Sequence, residues 1–177
     1  GSRKDARDAV VAARKAQPGW AGATAYNRGQ VLYRVAEVME SRRAQLVQDV
    51  RDSEGLSPAA AEATVSAAID RWVWYAGWAD KFTQVLGGLN PVAGPYFDIS
   101  APEATGVVAV LAPQRSSLLG LVSVVAPVIV SGNTAGDFSS LGNFQSGGHN
   151  ILGSVRGASF VGDEAIPDQI GVAVALD

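Results

Sequence analysis

Residues 105–135 read TGVVAVLAPQRSSLLGLVSVVAPVIVSGNTA, and the fold turns on this stretch. Residues 107–112 form a β-branched run bounded by Gly106 and Pro113. That is the pattern of a strand buried on both faces, as in a parallel sheet. Ser116 or Ser117 caps a following helix, and Ser131-Gly132-Asn133 ends it. Strand, short turn and helix make the opening of a nucleotide-type βαβ unit. The run 116–131 is also the most apolar in the chain. It is shorter than the roughly 18 apolar residues of a spanning helix, holds Pro127 and follows Gln114-Arg115, so it reads as a buried core helix.

Upstream the periodicity changes. Twelve of the fourteen Lys and Arg residues precede Phe82, interleaved with acids at helical spacing, which reads as solvated helix faces. Ser2 caps a helix over 3–16 that Pro18-Gly19 ends, with Ala6, Ala9, Val10 and Ala13 as its apolar face. A second helix over about 26–40 buries Leu32, Val35, Ala36 and Met39. Ser41 is expected to cap a third, with Leu46, Val47 and Val50 inward and Gly55 as terminator. Ser57-Pro58 opens a fourth, reaching about Lys81 and carrying Trp72, Trp74, Tyr75 and Trp78. Trp74 and Trp78 share one face, and Trp72 and Tyr75 a neighbouring one; rings of this area read as core plus interface. Residues 86–95 read as a Gly/Pro loop and 96–100 as a short strand.

Composition limits the chemistry. Apolar residues make up 47% of the 177 residues and charged ones 18%, enough to build a core and unlike a disordered segment. A net charge of -3 argues against a nucleic-acid binder. With no cysteine, thiolate metal sites and a cysteine nucleophile are excluded within this chain. One histidine, His149, makes multi-histidine metal sites and Ser-His machinery hard to assemble. The residues after Gly1-Ser2 read as a charged helix, not a signal peptide's apolar core, so a cytoplasmic location is expected.

The order of these pieces resembles the N-terminal part of an aldehyde dehydrogenase over residues 1 to about 135. AARKAQPGWAG at 12–22, NRGQVLYRVAEVME at 27–40 and Glu54-Gly55 carry the resemblance. GPYFDISAPEATGVVAVLAP at 94–113 and APVIVSGNTA at 126–135 extend it. The likeness is strongest to the degenerate second module of two-module members. It implies an α/β fold: an N-terminal helical layer plus a partial parallel, Rossmann-like sheet, a truncated version of the family fold. The strand at 96–100 is similar to part of the family's oligomerisation arm. The resemblance implies NAD as cofactor, facing Leu111, Ala112, Pro113 and Gln114. The family's Pro-Trp-Asn turn, whose asparagine stabilises an oxyanion, is here Pro113-Gln114-Arg115, so Arg115 holds the oxyanion position. A guanidinium carries charge, but its length and fork place that charge elsewhere. The family's nucleophilic cysteine and general-base glutamate have no counterpart here, and no lysine follows Lys81.

Residues 1–136 are therefore taken as the family-like module and 137–177 as a Gly-rich tail with short strands, unassigned. The tail carries faint β-helix-like turns and a strand-like run at 171–176. GHNILGS at 148–154 has P-loop glycine spacing without its lysine. His149 reads as a turn residue, and Asp163, Glu164 and Asp168 as a solvated loop around Pro167. Neither a catalytic residue nor a metal site is assigned.

Three functions are compatible with these features. The first is a catalytically incompetent aldehyde-dehydrogenase-like module with a structural or assembly role. The second is a fragment of an NAD-dependent aldehyde oxidoreductase whose catalytic residues lie outside the chain. The third is an unrelated small-ligand binder using the aromatic helix. NAD is not expected to bind the chain alone. A homo-oligomer or a complex with a larger family member is expected, with neither nucleic acid nor membrane as partner.

Overall fold

A computed structural model of the chain describes residues 3–111, 113 and 116–137. Ser2, Ala112, Gln114, Arg115 and the tail beyond Asp137, with His149, 148–154, Asp163, Glu164, Asp168 and 171–176, lie outside the described residues.

Apolar periodicity builds a helical layer of four long elements: α1 (Arg3–Gly22), α2 (Ala25–Ser41), α3 (Arg43–Glu54) and α4 (Pro58–Trp78). A one-turn helix, α5 (Phe82–Leu86), leads to an antiparallel pair, β1 (Gly88–Asn90) and β2 (Asp98–Ser100). Then come β3 (Val107–Val110), α6 (Ser117–Val130) and β4 (Thr134–Asp137). β3 and β4 pair in parallel with Val107 opposite Thr134 and Val110 opposite Asp137, so the expected strand–turn–helix opening is completed by a second strand that the sequence reading did not place. The core sits where α4 packs against α2, α3 and α6, and α1 lies against β4. Leu32, Val35, Ala36, Met39, Leu46 and Val50 are buried in that core, as their spacing predicts, and Val47 packs against its edge.

Helix boundaries follow capping chemistry. Thr24 Oγ1 accepts from Asn27 N at 3.2 Å to start α2, and Ser57 Oγ accepts from Ala60 N at 3.3 Å with Pro58 next. Gly55 ends α3 at φ 66°, a left-handed conformation that costs a side-chain-bearing residue about 1–2 kcal/mol.

Several boundaries differ from the sequence reading. Pro18 lies inside α1 and does not end it at Ala16. The helix continues because its last turn is tied to the body: Gln17 Nε2 donates to Gly132 O and Trp20 Nε1 to Ile129 O. Ser41 does not cap α3 but closes α2, donating to Val38 O at 2.8 Å. Arg42 precedes α3 without a side-chain cap. α4 stops at Trp78, where Lys81 Nζ turns back onto Gly77 O, and not near Lys81. The 86–95 loop contains β1, and β2 is shorter than 96–100. β3 ends at Val110 and is not buried on both faces: Val110 is buried, Val107 and Val108 are half-buried and Ala109 is exposed. A β-branched run encodes a preference for strand, while its burial depends on how many strands flank it, and among the described residues β3 has one ladder partner.

Helix α6 is the buried core helix its composition predicts. Leu118, Leu121, Val122, Val125, Ala126, Ile129 and Val130 are all in the core. No helix of the described residues is long and apolar enough to cross a membrane.

Candidate functional site

The site suggested by the sequence is the turn between β3 and α6. Leu111 follows the strand directly and is exposed, and Pro113 is exposed too. Ala112, Gln114 and Arg115, three of the five residues singled out there, lie outside the described residues. The start of α6 is well defined. Ser116 Oγ and its carbonyl oxygen each accept from Gly120 N at 3.0 Å. The Ser117 N–H and hydroxyl both donate to one carboxylate oxygen, Glu54 Oε1, at 2.8 and 2.6 Å. Glu54 is the last residue of α3, so this contact ties two elements 63 residues apart. Ser53 Oγ lies 3.4 Å from Ser117 Oγ. The ring of Pro113 rests on the first turn of α6: a Cβ on Gly120 would come 3.1 Å from Pro113 Cδ.

The far end of the unit is a latch. Asn133 is buried; its Oδ1 accepts from Gly106 N at 2.8 Å and its Nδ2 donates to Ser131 Oγ at 2.7 Å. Thr134 N donates to Gly106 O at 3.1 Å, so the starts of β3 and β4 are pinned together. The Thr134 hydroxyl donates to Gln17 Oε1 at 2.9 Å, with Ala13 O at 3.2 Å. Arg28 is 9% exposed, and its Nη1 donates to Ala23 O at 2.5 Å just past the end of α1. Burial lowers its pKa from the usual arginine value, and no ion pair among the described residues involves it. Thr134 fastens the unit to α1, Asn133 joins the starts of its two strands, and Arg28 ties α2 to the end of α1. Sequence reasoning recognised the Gly-Asn-Thr turn but not the partners of Asn133, Gln17 and Arg28, which come from other elements.

The aromatic residues separate by depth. Trp72 is 1% exposed and belongs to the core, whereas Trp74 is 56% exposed. Trp74 stacks edge-on to Tyr75 with ring centroids 4.8 Å apart, and lies 5.4 Å from Trp78 at a tilt of 41°. Among the described residues no group of three His, Cys, Asp or Glu side chains could hold a metal ion.

A dinucleotide's pyrophosphate ordinarily rests on bare N–H groups at the helix start that follows the first strand. Here the Ser117 N–H is taken by Glu54 and the Gly120 N–H by Ser116, while Gln114 and Arg115 beside them lie outside the described residues.

The sequence pattern of the aldehyde dehydrogenase family matches residues 1–135. The chain belongs to the aldehyde dehydrogenase family. Aldehyde dehydrogenase 1A1 of Oryctolagus cuniculus is 32% identical over 138 residues, which cover 76% of this chain and 27% of that protein. Among solved structures, betaine aldehyde dehydrogenase of Staphylococcus aureus, in complex with NAD+, superposes with a TM-score of 0.71 at 25% identity. That match covers 76% of this chain and 27% of the other. An NAD-dependent benzaldehyde dehydrogenase from Corynebacterium glutamicum gives a TM-score of 0.68 at 28% identity, covering 75% and 28%. The chain thus spans about a quarter of the length of the relatives it matches. The helical layer and the parallel unit are therefore the N-terminal part of an aldehyde dehydrogenase fold.

Proposed function

We propose that this chain is an aldehyde dehydrogenase module that does not oxidise aldehydes on its own and that serves assembly. The observation that carries the assembly reading is the β1–β2 ribbon. Its strands are three residues long and pack mainly on each other. Leu89 and Ile99 are cross-strand partners, 66% and 71% exposed, and Phe97 beside them is 86% exposed. The opposite face is polar, with Asn90 Nδ2 donating to Asp98 Oδ1 and Ser100 Oγ. A two-stranded ribbon this short is marginal in water, and adjoining exposed apolar side chains mark a contact surface. The occupant is a second copy of the chain or a larger family member.

Light scattering coupled to size exclusion over a dilution series tests this reading. The mass should exceed the 18.3 kDa of one chain at high concentration and fall on dilution. Replacing Leu89→Ser and Ile99→Ser together should shift the equilibrium to monomer with little loss of thermal stability, because both side chains lie off the core. A single mass of 18.3 kDa at every concentration, alone and with a full-length relative, contradicts it.

A second reading is favoured by the quarter-length match to relatives. On this reading the residues are the N-terminal portion of an NAD-dependent aldehyde oxidoreductase whose nucleophile and cofactor contacts are supplied elsewhere. Activity appearing only when the chain is combined with the complementary part of a relative distinguishes it from the first.

A further inference from the structure

We infer that the buried guanidinium of Arg28 is a seat for a small carboxylate anion, taken side-on by its Nε and Nη2. Arg28 stands in the first turn of α2 and is 9% exposed, the depth of a core residue. One arm of its fork is committed: Nη1 donates to Ala23 O at 2.5 Å, with Ala21 O at 3.5 Å. The other edge is not. Nε is buried without a hydrogen-bond partner among the described residues, and every hydrogen bond of the guanidinium there is made by Nη1. No carboxylate among the described residues pairs with the charge. The side chains flanking the guanidinium offer no acceptor. A Cβ on Gly132, whose φ is 84°, would lie 3.6 Å from Arg28 Cζ and 3.5 Å from Ala104 Cβ. Residues 21–28, 103–106 and 131–134, the turns that meet there, are all described. Glu103 in one of them is exposed and makes no ion pair with Arg28.

The chemistry of the free edge selects the ligand. Nε and Nη2 present two parallel N–H donors that match the two oxygens of a carboxylate. The Ala104 methyl and the bare Gly132 backbone bound the guanidinium, so a small planar anion suits it. A buried cation with part of its fork unpaired is costly, and burial already lowers the pKa of Arg28. An anion seated there supplies both the missing acceptors and the counter-charge. It would also join the end of α1, the start of α2 and the turn after α6, which all meet at Arg28. This goes beyond the assembly reading, because the β1–β2 ribbon takes no part in it.

Sodium acetate titrated into the complete 177-residue chain, against sodium chloride at matched ionic strength, tests this. The readouts are the Arg28 Nε–H resonance and the thermal transition. Acetate should move that resonance saturably, with a dissociation constant on the order of millimolar, the scale of two charge-assisted hydrogen bonds. It should also raise the transition, and chloride should do neither. R28K keeps a charge that can reach Ala23 O but has no fork, so its transition should respond to acetate at least about tenfold more weakly. Ala104 stands beside Gly132 at the guanidinium, so A104E brings a carboxylate to the seat within the chain. Its transition should start higher than wild type, and its Arg28 resonance should ignore acetate. A104E leaves Arg28 in place, so the inference is tested even where R28K fails to fold. A wild-type resonance no more responsive to acetate than to chloride overturns the inference. So does a folded R28K with the wild-type affinity, or an A104E whose resonance follows acetate as the wild type's does.

Discussion

Trp72→Ala is expected to lower the unfolding free energy by about 3–5 kcal/mol, the cost of emptying a large aromatic from a packed interior. Trp72 is one of the largest fully buried side chains and belongs to the cluster that holds Leu32, Val35, Val65, Leu118, Val122 and Val125. It lies on α4, which packs against α2, α3 and α6, so the cavity would open at the junction of the layer. A whole domain is stable by only about 5–15 kcal/mol, so this one change removes a large share. Trp72→Phe should cost much less. Among the described residues the buried indole Nε1 has no hydrogen-bond partner, and phenylalanine removes that donor along with part of the ring. Urea unfolding of both variants decides the matter. Equal losses in the two would contradict this account, because the retained phenyl ring would then neither fill the cavity nor offset the lost donor.

Asn133→Ala is expected to cost about 1–3 kcal/mol, the penalty for stranding buried hydrogen-bonding groups. The orientation of the amide is settled by its neighbours. Gly106 N can only donate, and the Ser131 hydroxyl proton is engaged with the carbonyls of Pro127 and Val128 at the end of α6. Nδ2 must therefore face Ser131 and Oδ1 must face Gly106. Asn133→Asp should be at least as damaging at neutral pH although it is isosteric, because it keeps the acceptor for Gly106 and sets a second oxygen against Ser131 Oγ. Hydrogen exchange at Gly106 reads the latch directly: its amide should exchange much faster in both variants. An unchanged rate would mean that the strand pairing, and not Asn133, protects it.

The helical layer was legible because local rules govern it. Ser57-Pro58, Gly55 and the spacing of Leu32, Val35, Ala36 and Met39 each encode a cap or a buried face within one turn of chain. The parallel unit was legible as strand, turn and helix for the same reason. Errors arose wherever a distant partner overrode a local signal. Pro18 would end an isolated helix, but Gln17 and Trp20 reach residues more than 100 positions away and hold the last turn in place. Ser41 looks like a cap, yet its hydroxyl satisfies the end of its own helix. Val107, Val108 and Ala109 look like a central strand, but a strand's burial belongs to its neighbours in the sheet. The contact that most constrains the candidate site, Glu54 to Ser117, spans 63 residues, and neither end carries a motif that points to the other. Glu54-Gly55 carries a family resemblance in the sequence, and nothing local to it marks the closure of a helix start.

The proposed function requires that this chain, although an aldehyde dehydrogenase by family, performs no aldehyde oxidation alone. The sequence has no cysteine to form the thiohemiacetal, and on the proposed reading Arg115 stands where the family's oxyanion asparagine would be. The direct measurement is NADH formation at 340 nm from NAD and a broad panel of aldehydes, using the repurified 177-residue chain, its Arg115→Asn variant and a no-protein control. Both proteins should match the control, because an oxyanion donor without a nucleophile has nothing to stabilise. Steady NADH production that rises with protein concentration and survives repurification would contradict the account.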